Sequence, residues 1–423
     1  MKNQNWLILS HGFNMDGRAA SQTITDKIPY LVNAGVKPQI LSAVTGKKDK
    51  KIPHKQLLPF GGMGLRFDLR FWLRRKVGKG VFYKLIIGFL GLLLLPLVVI
   101  EKVFFGLSSQ SSWAIPAAIV GIYRVKRKQV DLVYSTGGAW SAHLAGYWIW
   151  KVTRVPWIVE LHDPMVQVAD EKNTDRETRL LLWLENKICS YATLVWWFTE
   201  GAEASARRRN PQLANRGFNE LAGANPPSPD VYFEKSEKLR FSHFGSLTEG
   251  RSLVPFLQGI SRLIEKQLLM LDDIEINVYG GLLDASSKQS AKELGLEKII
   301  IEHGRIEADE NQSGRSKIMR AMKNADVLLL MHGHDDTCKE YIPSKFYEYL
   351  FAERSILAFH HANQQFLRLL TEINCYEVES EGESTTVLNQ IAADWKNGSL
   401  NMPTRKISTE NLVNKMCDKL SHA

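Results

Sequence analysis

Short apolar runs alternate with helical segments along most of this chain, and that alternation restricts the fold more than any other feature. "WLILS" (6–10) is strand-like, "DGRAASQTITDKIPYLVNAG" (16–35) carries Ala19, Ile24, Ile28 and Leu31 at helical spacing before stopping at Gly35, and "KPQILSAVT" reads as a second strand. Farther on, "DLVYSTGG" (131–138), "PWIVELHDP" (156–164) and "TLVWWFT" are strands separated by the helical "SAHLAGYWIWKVTR" and "RETRLLLWLENKICSYA". Such alternation predicts an α/β chain with a parallel, doubly wound sheet. A Pro-rich break, "AGANPPSPDVYFEKSEKL" (222–239), interrupts the pattern, which restarts with "RFSHFGSL", "IEINVYGG", "KIIIEHGRI", "DVLLLMHG" and "SILAF" as strands. The expectation is two Rossmann-like domains facing across a cleft, 1–225 and 241–402, joined by a linker at 226–240 and followed by an amphipathic helical tail, 403–423. A length of 423 residues suits this, because single cores stop growing near about 250–300 residues.

One block does not fit the alternation. "LIIGFLGLLLLPLVVI" (85–100) carries no charge and is bounded by Lys84 and Glu101. Sixteen helical residues reach about 24 Å, short of the ~30 Å hydrocarbon core of a bilayer. Ahead of it, Arg66, Arg70, Arg74, Arg75, Lys76, Lys79 and Lys84 face a single acid, Asp68, with Phe67, Phe71, Trp72, Phe82 and Tyr83 interleaved. Basic and aromatic residues beside an apolar run suit an anionic headgroup region. The expectation is a membrane-associating insert (66–107) in the N-terminal domain, a re-entrant or interfacial helix pair broken near Pro96 with both ends on one side; a buried core helix is the alternative. "MKNQNWLILSHGF" is too short in its apolar part for a signal peptide, and four scattered cysteines without CxxC suit a reducing compartment. Together these place the chain at the cytoplasmic face of the cell membrane. The net charge of +9 favours an anionic partner, and without a nucleic-acid motif the basic "RVKRKQ" (124–129) does not indicate nucleic acid.

Parallel α/β sheets bind ligands outside the carboxyl ends of their strands, where helix N-termini offer free N–H groups. The candidate loops are "SHGFNMDGR" (10–18), "STGGAW" (135–140) and "ELHDPM" (160–165) in the first half, and "FGSLTEGR" (244–251), "YGG" (279–281), "HGRI" (303–306) and "MHGHDDTCKEYIPSK" (331–345) in the second. His11, Asp16 and Arg18 would line an acceptor site in the first of these loops, where a plain Gly-rich turn is as good a reading. Pro343 suits the first turn of a helix running to roughly Phe351, with Glu340 ahead of it and Glu348 inside it. An anion at that helix mouth would meet the amides of Ser344 and Lys345 and the Lys345 ammonium; equally, the two acids read as a solvated helix start. "HGHDD" (332–336) lacks ligand spacing for a metal, so neither metal nor cofactor is expected.

"EYIPSKFYEYL" followed by "ERSILAF" resembles the E-x7-E segment of retaining glycosyltransferases of the GT-B fold, the family 4-like group in particular. "FGSLTEGRSLVPFLQGISRL", "IIIEHGRI", "IMRAMKNADVLLL" and "DLVYSTGGAWSAHLAGYWIWKVTRVPWIVELHDP" are similar to further blocks of that group in the same order. The resemblance implies that Glu348 binds the donor ribose and Glu340 the donor sugar hydroxyls, that Arg251, Ser344 and Lys345 neutralise the diphosphate, and that Arg305 and Ile306 lie beside the base. His162 and Asp163 match a polar pair near the reacting sugar, where His162 would polarise the sugar or accept a proton; a strand-end core histidine is the alternative. Many relatives carry a basic residue where this chain has Ser246, which shifts the diphosphate burden to Arg251 and Lys345. The function implied is transfer of a sugar from a nucleotide-sugar donor to a lipid-linked glycan such as a polyprenyl diphosphate, in envelope or extracellular polysaccharide assembly. A nucleotide-sugar epimerase of the same architecture and a non-catalytic membrane-docked scaffold are the competing readings.

Overall fold

The computed structural model describes residues 3–422, apart from 16, 108–109, 168–170, 173–174, 234, 310 and 381. The chain forms two compact units, Met1–Ala222 with Thr409–Ala423, and Gly223–Ser408.

In the first unit the elements are β1 (Gln4–Leu9), α1 (Ala19–Asn33), β2 (Val36–Ala43), β3 (His54–Leu57), α2 (Gly62–Val77), α3 (Val81–Phe104), α4 (Ala114–Lys126), β4 (Leu132–Gly137), α5 (Trp140–Thr153), β5 (Trp157–Leu161), α6 (Arg176–Tyr191), β6 (Leu194–Trp197), α7 (Glu200–Arg209) and β7 (Gly217–Asn219). The strands form a parallel sheet in the order β3-β2-β1-β4-β5-β6-β7. Trp6, Leu7, Ile8 and Leu9 are wholly buried, as expected of a strand covered on both faces. Strand order reverses direction between β1 and β4, so the loops that follow these two strands flank the switch point where such sheets bind ligands.

The uncharged block lies in a helical hairpin. α2 runs out and α3 returns antiparallel to it: Glu101 Oε2 near the end of α3 accepts from the Met63 N–H at the start of α2 (2.8 Å), and Tyr83 donates to the Arg70 carbonyl (3.3 Å). Gly62 permits the approach, since a Cβ there would stand 2.8 Å from Leu97 Cβ. The reversal falls at the glycines after α2, with Gly78 at φ 75°, and not at Pro96 as the sequence suggested. Pro96 removes one backbone bond without ending the helix, and Lys84, Glu101 and Lys102 continue α3 beyond the uncharged core. α3 is therefore 24 residues long, about 36 Å, with the uncharged run of 85–100 as its middle part, and it has no buried residue. Opposite this exposed helix, α2 is fastened to the unit through wholly buried Asp68, 3.4 Å from His11 Nε2, and through Arg75, which donates to the Thr45 and Val44 carbonyls.

The second unit contains β8 (Leu239–Gly245), α8 (Val254–Glu265), β9 (Ile274–Gly280), α9 (Ala285–Glu293), β10 (Ile300–Gly304), α10 (Gly314–Lys323), β11 (Val327–Met331), α11 (Ser344–Ala352), β12 (Ser355–His360), α12 (Gln364–Glu372), β13 (Tyr376–Glu379) and α13 (Thr385–Asn397). Its parallel sheet runs β10-β9-β8-β11-β12-β13, with the switch point between β8 and β11. The last helix, α14 (Thr409–Ser421), belongs to the first unit and packs on α1, a partner that its amphipathic pattern alone did not identify. β3, β7 and β13 escaped the sequence reading because edge strands of four, three and four residues are too short to show a period.

Candidate functional site

At the second switch point, Pro343 is the N-cap of α11, one position before the first-turn place expected of it, and its carbonyl accepts from the Phe346 N–H (2.9 Å). The amides of Ser344 and Lys345 open the helix, where no intrahelical acceptor exists for them. Glu348 is 7% exposed, not a solvated surface acid, and accepts from Lys345 Nζ at 2.5 Å. Glu340 ends a 3₁₀ turn, Asp336–Glu340, and is also buried.

Neutral hydrogen bonds place this segment. Tyr349 donates to the Leu329 carbonyl of β11 and accepts from the Phe244 N–H of β8, both at 3.0 Å, so one phenol joins α11 to the two strands that flank the switch point. Tyr341 donates to the His332 carbonyl (2.7 Å), and His332 Nε2 returns a bond to the Tyr341 carbonyl (2.9 Å). Asn363 caps α12 with its oxygen and donates its amide to the carbonyls of Cys338 and Tyr341, which clamps the turn carrying Glu340. Neither Tyr349 nor Asn363 was singled out from sequence. The E-x7-E spacing puts Tyr349 beside Glu348, and that adjacency was the available signal.

The loops after β8 and β9 touch through glycine. Gly280 has φ 99°, and a Cβ on it would stand 3.0 Å from the Gly245 carbonyl oxygen; a Cβ on Gly281 would stand 3.5 Å from Ser246 Cα. Arg251 lines a cavity of about 640 Å³ together with Ser252, Gly333, His334 and Ser384. Burial lowers the pKa of His243 on β8, and Arg251 and Lys345 add to that lowering. Phe244, Tyr279 and His303 form a stack across the ends of β8, β9 and β10, with centroids 4.6 and 4.1 Å apart. Arg305, exposed, and Ile306 follow directly on β10. In "HGHDD", Asp335 caps the 3₁₀ turn and Asp336 pairs with Lys339. Among the described residues no cluster of three or more His, Cys, Asp or Glu side chains is arranged to hold a metal.

In the first unit, Glu160 is wholly buried and accepts from Lys27 Nζ, Tyr134 (2.9 Å), Trp196 Nε1 (3.0 Å), Thr136 (2.6 Å) and His162 Nε2 (2.8 Å). Burial by itself would raise its pKa, but Lys27 and His162 outweigh that and hold the carboxyl below the usual range. The bond to Glu160 through Nε2 fixes the direction of the His162 ring. Asp163 is exposed and lines a cavity of about 190 Å³ with Gly137, Gly138, Trp140 and His143. His11 is buried against Asp68, Phe67 and Trp113, while Arg18 is exposed with its guanidinium 5.9 Å from the Phe71 ring centre. Asp16 lies outside the described residues. Sequence reasoning missed Glu160 and Lys27; the signals were a lysine on the buried face of α1 and an acid inside an apolar strand.

No family model and no curated protein sequence matches this chain. Solved structures do. The UDP-GlcNAc 2-epimerase from Methanocaldococcus jannaschii matches over 100% of both chains at 12% identity and a TM-score of 0.52. WaaG, a glycosyltransferase involved in lipopolysaccharide biosynthesis, matches over 99% of this chain and 100% of its own, again at 12% identity and a TM-score of 0.52. Against S. aureus TarM the match covers 72% of this chain and 57% of that protein's length, at 9% identity and a TM-score of 0.45. The two parallel sheets and these full-length likenesses define a GT-B fold.

Two predictions arise from this geometry. Tyr349→Phe leaves the Phe244 N–H and the Leu329 carbonyl without the phenol, so it lowers stability by about 1–3 kcal/mol in urea unfolding, whereas the same change at exposed Tyr232 has no effect. Burial depresses the pKa of His243 and of His332 from 6.5 to about 4. The unfolded chain therefore binds more protons than the folded one between those values, and stability is lost as pH falls from 6.5 towards 4. Calorimetric melting across that window reads the loss; an unchanged Tm there contradicts it.

Proposed function

We propose that the protein is a membrane-associated glycosyltransferase that moves a sugar from a nucleotide-sugar donor to a lipid-linked glycan, such as a polyprenyl diphosphate carrier, at the cytoplasmic face of the membrane. The observation that carries this reading is the mouth of α11. There the amides of Ser344 and Lys345, the Lys345 ammonium and buried Glu348 sit at the switch point of the second sheet, with Arg251 in the loop that follows β8. Departure of a nucleoside diphosphate builds negative charge on the leaving group, and a helix mouth with two cations stabilises that charge. Glu348 would accept from the ribose hydroxyls and Glu340 from the sugar, with Arg305 and Ile306 beside the base. No step of this chemistry needs a metal. In the first unit, His162 and Asp163 would face the reacting sugar, and the acceptor would enter by the loop that carries His11 and Arg18. Retention of anomeric configuration and a role in envelope polysaccharide assembly complete the proposal, and the likeness to WaaG in fold is compatible with both. The exposed hairpin supports the membrane part: a long exposed helix with an uncharged core at 85–100, and a basic helix beside it, suits an enzyme that meets a lipid acceptor.

An epimerase is the second reading, because an epimerase matches over its full length equally well. Incubation with nucleotide sugars, with and without lipid-linked acceptor, separates the two: transfer that requires the acceptor supports the proposal, and an epimerised nucleotide sugar without acceptor overturns it. Glu348→Ala weakens nucleotide affinity roughly 10- to 100-fold in titration calorimetry, the worth of one charge-assisted hydrogen bond; unaltered affinity removes Glu348 from the site. Deletion of residues 81–107 transfers the protein from the membrane to the soluble fraction, and unchanged sedimentation with membranes in low and high salt rules out the hairpin as anchor.

A further inference from the structure

His243 interrupts the buried face of β8 that Leu239 and Phe241 otherwise make apolar, and it is 5% exposed. Its Nδ1 donates to the Leu329 carbonyl (3.2 Å), the same oxygen that accepts from Tyr349. The proton therefore sits on Nδ1, and Nε2 carries a lone pair with no hydrogen-bond partner. That nitrogen is directed at the loop after β8: a Cβ on Gly245 would lie 3.6 Å from it, and Gly245, at φ 150°, has no side chain to cover it. A buried polar atom without a partner costs free energy, and a phenylalanine or leucine would extend the apolar face of the strand without that cost.

The groups around the ring explain why it stays neutral. Arg251, in the loop after β8, and Lys345, on α11 and paired there with Glu348, both disfavour a positive charge on the ring, while β9 and β11 bring Val278 and the Leu329 backbone alongside. Two cations and a dry environment oppose a third positive charge. A diphosphate at the mouth of α11 reverses that balance, because it adds at least two negative charges within the same low-dielectric region.

We propose that His243 is a positioning residue of the donor site: binding of a nucleoside diphosphate draws one proton from solvent onto Nε2, and the imidazolium then supplies, from beneath the loop, the positive charge that Ser246 does not. This rests on the donor-site reading of α11. The charge is present when the anionic leaving group is in place and absent when the site is empty, so the free protein does not hold a buried imidazolium beside Arg251 and Lys345. The sign follows from linkage: a group that gains affinity for a proton in the complex makes nucleotide binding tighter as pH falls through the bound-state pKa.

Titration calorimetry on the full chain tests this, with UDP, ADP and GDP as probes, at about pH 6 in two buffers of different ionisation enthalpy. His243→Gln and His243→Asn are run beside the wild type. Asn keeps a donor for the Leu329 carbonyl without a titrating group, so it remains informative if the Gln variant does not fold. The tightest-binding nucleotide is expected to take up more protons with the wild type than with either variant, approaching one per site. Wild-type affinity rises up to about tenfold per pH unit on acidification relative to the variants. Equal proton uptake in wild type and variants, with nucleotide still bound, overturns the role of His243 and leaves the donor site standing. Failure of all three nucleotides to bind overturns the donor-site reading itself, and this inference with it.

Discussion

A carboxylate without access to water organises the first unit. Glu160, on β5, draws Lys27 from α1, Tyr134 and Thr136 from β4, Trp196 from β6 and His162 from the loop beyond its own strand. An ionised acid in that position is tolerable because five donors replace the water it has lost, and removing one charged partner from such a pair typically costs about 3–5 kcal/mol. The network ties three neighbouring strands and a helix together near the carboxyl ends of the sheet, where an open α/β fold presents its loops to a ligand. His162 is thereby fixed in direction, and the shape of that end of the sheet follows from where Glu160 can find its donors.

The second unit meets the same need with neutral groups. Tyr349 joins α11 to β8 and β11, and Asn363 clamps the turn that holds Glu340. The buried acid of this segment, Glu348, is matched by the Lys345 ammonium on the same helix and is not what joins the helix to the strands. Hydroxyl and amide groups fix geometry without adding charge. The two units thus share parallel sheets with a switch point each, one tied together through a buried carboxylate and the other through a tyrosine hydroxyl and an asparagine amide.

Much of this was legible in the residues. Every interior strand was marked by a short apolar run, and the candidate loops follow from the rule that ligands meet strand ends. The two glutamates of the α11 segment were less clear. Spacing left Glu348 balanced between a surface acid and a site residue, and its burial beside Lys345 is a property of how α11 lies on the sheet. The hairpin shows the same limit: its composition was plain, but Pro96 attracted a break that the structure puts at Gly78, because a proline costs one backbone bond while a glycine at positive φ reverses the chain. Lys27 and Glu160 were invisible as a pair because 133 residues separate them and each looks, in its own segment, like an ordinary polar position.

Local chemistry, then, was set by the sequence alone: which segments are strands, where the Pro-rich break divides the chain, which block is uncharged, and which loops carry acids, cations and histidines. These follow from period, turn residues and charge, all of which act over a few neighbouring residues. The tertiary structure alone decided which of those groups lose water and to whom they are then bonded. Partnership between Glu160 and Lys27, the two hydrogen bonds of the Tyr349 hydroxyl, the return of α14 to α1 and the unpartnered edge of His243 each depend on segments far apart in the chain meeting in space. In a buried site the free energy of a charge is set by those neighbours, and no spacing rule contains them.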